Sequence, residues 1–136
     1  MASKHPQPSA AQKKRSAVQK DPSGVQKEPS AVQAMLGGFA PKLVELTDNV
    51  LFGDIWKRPG LSQRDRSLIT VSSLIALNRT EQLPYHLRRA LDNGITKDEL
   101  IEIITHLAFY AGWPCAMSAI MLAKTVFAEP AYAEHA

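Results

Sequence analysis

Two histidines in the body of the chain have spacings that suit proton transfer. His86 shares a predicted helix with Arg88 and Arg89, which places a general acid/base beside cationic anchors. His106 follows Glu102 by four residues, so both share a helix face and the carboxylate would hold the imidazole in one tautomer. Each spacing is also typical of a structural role, an interface histidine in the first case and a helix-edge pair in the second.

A third group of side chains suits the binding of a small anion. Trp56, Arg58 and Arg66 lie around the predicted turn between the first two helices of the body. Guanidinium groups bind carboxylates through paired hydrogen bonds and stack on aromatic rings, so these residues suit a planar molecule that carries a carboxylate. The alternative is that Trp56 belongs to the core and Arg66 pairs with an acidic residue of a neighbouring helix.

Several other kinds of site are excluded by the sequence. The single cysteine, Cys115, rules out an intramolecular disulfide, a Cys-x-x-Cys redox pair and a multi-cysteine zinc site. No glycine-rich phosphate loop, Gly-x-Ser-x-Gly elbow or His-x-x-x-His metal pair occurs. Cys115 stands at a predicted helix start, which favours a reactive thiolate, and a buried, inert thiol is the alternative.

The net charge of +3 does not indicate nucleic-acid binding, because the basic surplus is confined to one end. Of the 16 Lys and Arg and 13 Asp and Glu, six basic and two acidic residues precede residue 34, and the remainder is close to neutral. The N-terminal segment lacks the apolar core of a signal peptide, and Gly112 and Pro114 interrupt the apolar run 107–123. We therefore predict a cytoplasmic protein with neither a nucleic-acid nor a membrane partner.

The basic end of the chain consists of a seven-residue repeat. The segments SAAQK, SAVQK, SGVQK and SAVQA begin at Ser9, Ser16, Ser23 and Ser30. Prolines recur just before these serines and break helices, and one apolar residue per repeat is too few to drive folding. We predict a mobile, low-complexity basic tail over residues 1–33 and a folded domain over 34–136. Only the last repeat is expected to start a short helix, between Pro29 and Gly37.

From Pro41 onward the apolar residues recur at helical spacing, and no useful stretch alternates with period two. The predicted helices are bounded by local signals, which are the Pro41 start, the Arg58-Pro59-Gly60 stop, the Ser62 cap, Gly94, the Thr96–Glu99 capping box, and Gly112 with Pro114. The sequence thus predicts an all-α bundle of about five or six helices. Its apolar stripes are broad for so small a body, which predicts burial between subunits.

A series of segments resembles the carboxymuconolactone decarboxylase family. In chain order they are GDIWKRPGL at 53–61, RSLIT at 66–70, ALNR at 76–79, HLR at 86–88, NGIT at 93–96 and YAGWP at 110–114. The resemblance covers about residues 39–129. It implies a fold of the alkyl-hydroperoxidase-D type that assembles into a homo-oligomer, a trimer or hexamer, with sites near subunit contacts.

The resemblance implies one of two chemistries. In the decarboxylase branch, carboxymuconolactone loses carbon dioxide to give an enol-lactone during the breakdown of aromatic acids. The alkyl-hydroperoxidase-D branch uses Cys-x-x-Cys-x-x-x-His, and aligning that histidine with His86 puts Arg79 and Gln82 at the cysteine positions. The expected function is therefore a cofactor-independent decarboxylase of a small carboxylated lactone or related acid. The alternatives are a thiol-dependent oxidoreductase that uses Cys115 and a non-catalytic ring that binds a small acid.

Matching positions in the family imply roles for four residues. Arg58 and Arg66 would anchor the surviving carboxylate, His86 would transfer the proton, and Arg88 would serve in either role. No metal or organic cofactor is expected, because the conjugated ring itself accepts the electrons. An apolar wall around the departing carboxylate is predicted, from position and chemistry, for Trp56, Tyr110 and Trp113. Glu102 and His106 remain a second candidate acid/base pair.

Overall fold

The computed structural model describes residues 28–133, and this part of the chain is all-α. Its six α-helices are α1 (Ala31–Leu36), α2 (Pro41–Glu45), α3 (Gln63–Ala76), α4 (Leu83–Asp92), α5 (Lys97–Tyr110) and α6 (Trp113–Phe127). A π-helical segment, Leu46–Leu51, continues α2, and a 3-10 turn, Ile55–Lys57, follows it. The all-α prediction is confirmed. The greater part of the predicted tail, residues 1–27, lies outside the described residues.

The helix boundaries follow from local signals that the sequence carries. The side chain of Ser62 accepts a hydrogen bond from the Asp65 N–H at the start of α3. Thr96 and Glu99 form a complete capping box at the start of α5. Gly94, just beyond α4, has a φ of +95°, a conformation that glycine adopts without steric cost. These predicted boundaries are confirmed.

The last serine repeat forms α1 and contacts the body of the domain. Ser30 Oγ accepts a hydrogen bond from the Gln33 N–H, and Gly37 follows the last residue of α1. The same hydroxyl donates to the Asp48 carboxylate at 2.9 Å, which connects α1 to the π-helical segment. The short helix predicted between Pro29 and Gly37 is therefore present and is linked to the π-helical segment.

The first long helix of the body differs from its prediction. One α-helix was expected from Pro41 to the Arg58-Pro59-Gly60 stop, but the α-helical pattern changes to a π-helix at Leu46. Thr47 Oγ1 donates to the Leu43 carbonyl at 2.7 Å, a side-chain bond that perturbs the backbone ladder of a helix. The Phe52 N–H then bonds to the Thr47 carbonyl, five residues back. The wider turn changes the direction in which Phe52 leaves the helix.

The core lies among α3, α4, α5 and α6, whose apolar stripes face one another. Its fully buried members from these helices include Val71, Ile75, Leu83, Leu87, Leu100, Ala119, Ala123 and Val126. The heptad-like spacing of these residues explains why four helices of 10 to 15 residues bury a common interior. Ser67 is the buried polar residue of α3, and it accepts a hydrogen bond from the Asn93 amide at 2.9 Å. This bond connects the start of α3 to the end of α4.

The apolar run 107–123 is divided between two helices. α5 ends at Tyr110 and α6 begins at Trp113, with Gly112 between them at a φ of +98°. Within residues 28–133, every helix is too short or too polar to cross a membrane.

The close packing of backbone atoms around Gly53 predicts that a larger residue there lowers stability. A Cβ atom added there would lie 2.5 Å from the Asn49 carbonyl oxygen and 2.7 Å from that of Asp48, both in the π-helical segment. We expect Gly53→Ala to lower the free energy of unfolding by about 1–3 kcal/mol, because backbone atoms must shift. Gly60→Ala is the matched control, since its Cβ would meet no atom within 4 Å. Urea denaturation of both variants checks this, and equal stabilities would contradict it.

Candidate active site

The site is organised around Trp56, which the 3-10 turn directs into the protein. Only 5% of this residue is exposed. The turn is held from α3: the Gln63 side-chain amide donates to the Trp56 carbonyl, and Arg66 Nη2 donates to the Arg58 carbonyl at 3.0 Å. Two side chains from the first turns of one helix thus fix the backbone on both sides of Lys57.

Helix α4 supplies the side chains that cover the indole. The His86 ring stacks on Trp56 with a centroid distance of 6.1 Å and an interplanar angle of 20°. Tyr85 meets the His86 ring edge-on at 5.0 Å, and Phe52 lies 5.8 Å from Trp56. Arg89, one turn after His86, completes the group. We call Phe52, Trp56, Tyr85, His86 and Arg89 the Trp56 cluster.

The guanidinium of Arg89 lies among the aromatic rings of this cluster. Its central carbon is 4.5 Å from the centroid of Phe52, 4.7 Å from that of Trp56 and 5.9 Å from that of Tyr85. Arg89 Nη1 also donates to the Tyr85 hydroxyl at 3.3 Å. Cation–π attraction to several rings fixes the position of this charge without neutralising it.

Three buried nitrogen atoms in this region lack hydrogen-bond partners within the described part of the chain. They are Arg66 Nε, His86 Nδ1 and Arg89 Nε. An unmade hydrogen bond on a buried polar group costs about 1–3 kcal/mol, so native proteins seldom leave several together. The oxygen atoms of an anionic ligand would satisfy such groups. The unpartnered atoms belong to two sequence-predicted site residues, Arg66 and His86, and to Arg89.

The surroundings of His86 favour its neutral form. Burial lowers the pKa of His86 below its usual 6.5, and the positive charge of Arg89 lowers it further. A negatively charged ligand in the same place would oppose the electrostatic effect of Arg89 and favour the imidazolium. The protonation of His86 is therefore coupled to the charge of whatever binds beside it.

Arg88, which the family resemblance implicated in anchoring or proton transfer, binds a carboxylate outside the Trp56 cluster. Its guanidinium donates to both carboxylate oxygens of Glu129, with Nη2 at 2.6 Å from Oε1 and Nε at 2.9 Å from Oε2. This contact lowers the pKa of Glu129. The Tyr132 hydroxyl donates to Asp92 at 3.0 Å beside it. Both bonds join α4 to the segment after α6, so Arg88 holds the helix rather than joining the Trp56 cluster.

The remaining sequence-predicted residues lie at or near the α5–α6 junction. Tyr110 and Trp113 are 78% and 62% exposed. The His106 ring stacks on Tyr110 at 4.8 Å, and among the described residues no hydrogen bond joins it to Glu102. The structure therefore does not assemble the Glu102–His106 dyad, nor does it bring these aromatics to the Trp56 cluster.

Neither the thiol of Cys115 nor any group of possible metal ligands forms a second site among the described residues. Cys115 is half-buried in the first turn of α6 and is a free thiol. Within residues 28–133, no three histidine, cysteine or carboxylate side chains lie close enough together to hold a metal ion.

The sequence placed Arg89 beside His86 without assigning it a role, and neither Phe52 nor Tyr85 was predicted to belong to the site. The spacing of Arg89 could have indicated its place in the site, since it follows His86 by three residues and so lies on the same helix face. The sequence carries no comparable signal for Phe52, because the direction of this side chain depends on the π-helical segment.

Comparison with known proteins covers this whole region. Residues 41–125 match the sequence profile of the carboxymuconolactone decarboxylase family, a range that contains every member of the Trp56 cluster. The chain belongs to the carboxymuconolactone decarboxylase family. The resemblance found in the sequence is thereby confirmed.

Curated relatives match part of the chain. A 4-carboxymuconolactone decarboxylase from Acinetobacter baylyi is 47% identical over 76 residues, which are 56% of this chain and 57% of that protein. A nitrosuccinic acid decarboxylase from Metarhizium robertsii is 37% identical over 83 residues, 60% of this chain and 58% of that one. An uncharacterised 15.0 kDa protein from Paracoccus denitrificans is 32% identical over 80 residues, which are 57% of this chain and 60% of that protein. The matches thus span somewhat more than half of each relative.

The electrostatics of the Trp56 cluster predict a displaced histidine titration. We expect His86 to titrate below pH 6.5, and Arg89→Gln to raise its pKa toward that value by removing the nearby positive charge. NMR titration of the imidazole C–H resonances measures both. Arg79→Gln is the matched control, because Arg79 is exposed on the turn after α3. A wild-type value at or above 6.5, or no change in Arg89→Gln, would contradict the account.

Proposed function

We propose that this protein is a cofactor-independent decarboxylase that acts on a small carboxylated lactone or a related acid. The observation that carries the proposal is the set of unpartnered nitrogens on Arg66, His86 and Arg89 around the buried Trp56. These are the groups that anchor an acid and move a proton, and they lie in the segment shared with the family.

The names of two relatives support this chemistry. One names a lactone acid and the other a nitro acid as the compound decarboxylated. In either compound the carbon–carbon bond to the carboxylate breaks, its electron pair moves toward the lactone carbonyl or the nitro group, and carbon dioxide leaves. A proton must then reach carbon. Because the substrate accepts its own electrons, the protein needs to bind, orient and protonate it.

The arginines next to the 3-10 turn are suited to anchoring a carboxylate of the substrate. Arg66 holds the Arg58 carbonyl with one nitrogen and keeps its buried Nε free, so a carboxylate that binds there is fixed relative to the turn. Arg58 is exposed beside it and contributes charge from the solvent side. The indole of Trp56 excludes water from one side, which weakens the solvation of a carboxylate and favours its loss as neutral carbon dioxide.

His86 is assigned the proton transfer. Its imidazole is neutral in the free protein because of burial and Arg89, and an anionic substrate beside it favours the imidazolium. The charged form then donates a proton to the carbanion as carbon dioxide leaves. In this assignment Arg88 is a positioning residue, since its contacts with Glu129 fix α4 and with it the His86 ring.

The predicted homo-oligomer is part of the same proposal. Many large apolar residues are exposed, including Met35, Phe39, Ile69, Phe109, Tyr110, Trp113 and Met121. Large exposed apolar surfaces are typical of subunit interfaces. We propose that a trimer or hexamer covers these side chains, and that Tyr110 and Trp113 serve this surface.

Comparison of the two histidines tests the proposed function. Purified protein is incubated with 4-carboxymuconolactone and, separately, with nitrosuccinic acid, and carbon dioxide release is measured. We expect release with at least one acid, and a loss of roughly 100- to 10,000-fold in His86→Asn, because general acid catalysis is removed.

His106→Asn is the matched variant, and we expect it to retain the wild-type rate, since His106 stacks on Tyr110 outside the cluster. No release by wild-type protein would refute the decarboxylase proposal. Full activity in His86→Asn would refute the assigned mechanism.

A further inference from the structure

Among the described residues, Arg89 lacks an acidic partner, unlike Arg64 on α3 and Arg88 next to it on α4. Arg64 on α3 pairs with Glu99, and Arg88 on α4 pairs with Glu129. Arg89 contacts rings and the Tyr85 hydroxyl, and within residues 28–133 no carboxylate lies in ion-pair distance of it. A partly buried cation without a counter-ion is costly, so its retention points to a ligand that completes it.

The contacts of Arg89 leave its Nε–H without a hydrogen-bond partner in the described part of the chain. A guanidinium that lies over aromatic rings interacts through its charge and its face, whereas its N–H groups point outward in its own plane. Of these groups, Nη1 reaches Tyr85 at 3.3 Å and Nε is buried and unpartnered. Phe52 and Trp56, at 4.5 and 4.7 Å, keep the group in place before any ligand arrives.

Arg66 and Arg89 approach the same turn from different helices. Arg66 contacts its backbone through the Arg58 carbonyl, and Arg89 contacts its indole. The two guanidiniums each keep a buried, unpartnered Nε. A ligand with one anionic group would have to share that group between the two cations. A ligand with two would satisfy both.

We propose that Arg89 is a specificity-determining residue, which binds a second planar oxyanion of the substrate, separate from the carboxylate that Arg66 anchors. The inference rests on the proposed function in sharing its site, but it concerns binding rather than turnover. It makes Arg89, and not Arg88, the α4 arginine that selects the substrate.

A pair of small probes isolates this role. Succinate carries two carboxylates, and its monoamide, succinamate, has nearly the same shape with one carboxylate. Both are titrated into the full-length protein near pH 7.5, where carboxylates are ionised, while NMR follows the Arg89 Nε–H and Trp56 indole N–H resonances. We expect wild-type protein to prefer succinate by roughly 10-fold or more, the worth of a charge-assisted hydrogen-bond pair.

The variants decide the assignment. Arg89→Gln should remove most of the preference for succinate over succinamate, because only Arg66 remains to bind a carboxylate. Arg89→Lys should retain only part of the preference, because lysine lacks the planar fork. Arg79→Gln, which removes the same charge from an exposed turn, should keep the wild-type preference. Circular dichroism establishes that each variant is folded. If Arg89→Gln is unfolded, the Arg89→Lys result decides.

Three outcomes overturn the inference. They are a wild-type protein without the preference, a folded Arg89→Gln that keeps it, and an Arg79→Gln that loses it equally. Any of these would leave Arg89 as a packing residue. Failure of the proposed function is distinguishable, because the preference for succinate is measured without turnover. A protein that shows it but decarboxylates neither acid refutes the decarboxylase alone, and the reverse result refutes the role of Arg89 alone.

Discussion

The burial of Trp56 between the start of α3 and the face of α4 is the interaction on which the site depends. Gln63 and Arg66 hold the backbone of the 3-10 turn, and the indole supports the ring of His86 and the guanidinium of Arg89. Without this side chain, neither group from α4 would have a fixed surface to rest on. The aromatic core of the site thus positions its charges, because stacking and cation–π contacts restrain orientation while leaving N–H groups free.

The same packing creates an electrostatic imbalance. Arg66 and Arg89 bring positive charge to the turn without acidic partners among the described residues, and burial keeps His86 neutral beside them. An acid that binds there relieves the imbalance and also favours the protonated imidazole. In the proposed mechanism, substrate binding would therefore also prepare the proton donor for a reaction that adds a proton where carbon dioxide has left.

Local signals in the sequence predicted most of the fold. The cap at Ser62 and the capping box at Thr96 depend on residues three apart, so their chemistry can be recognised without the tertiary structure. Resemblance to the family pointed to Arg66 and His86, whereas Trp56 was predicted from its position and chemistry. Resemblance selected Arg88 instead of Arg89, although neighbouring residues point about 100° apart around a helix and only Arg89, three residues after His86, shares the face of that histidine. The direction of Phe52 depended on a π-helical segment that the apolar pattern does not reveal.

The dependence of kcat/KM on pH tests the central claim most directly, with whichever of the two acids the protein turns over. If His86 in the Trp56 cluster donates the proton, kcat/KM falls by about tenfold per pH unit above the pKa of His86 in the free protein, which lies below 6.5. In Arg89→Gln the break moves to higher pH, together with the imidazole titration. A profile that stays flat between about pH 5 and 8, or a break that does not follow the histidine, would contradict the account.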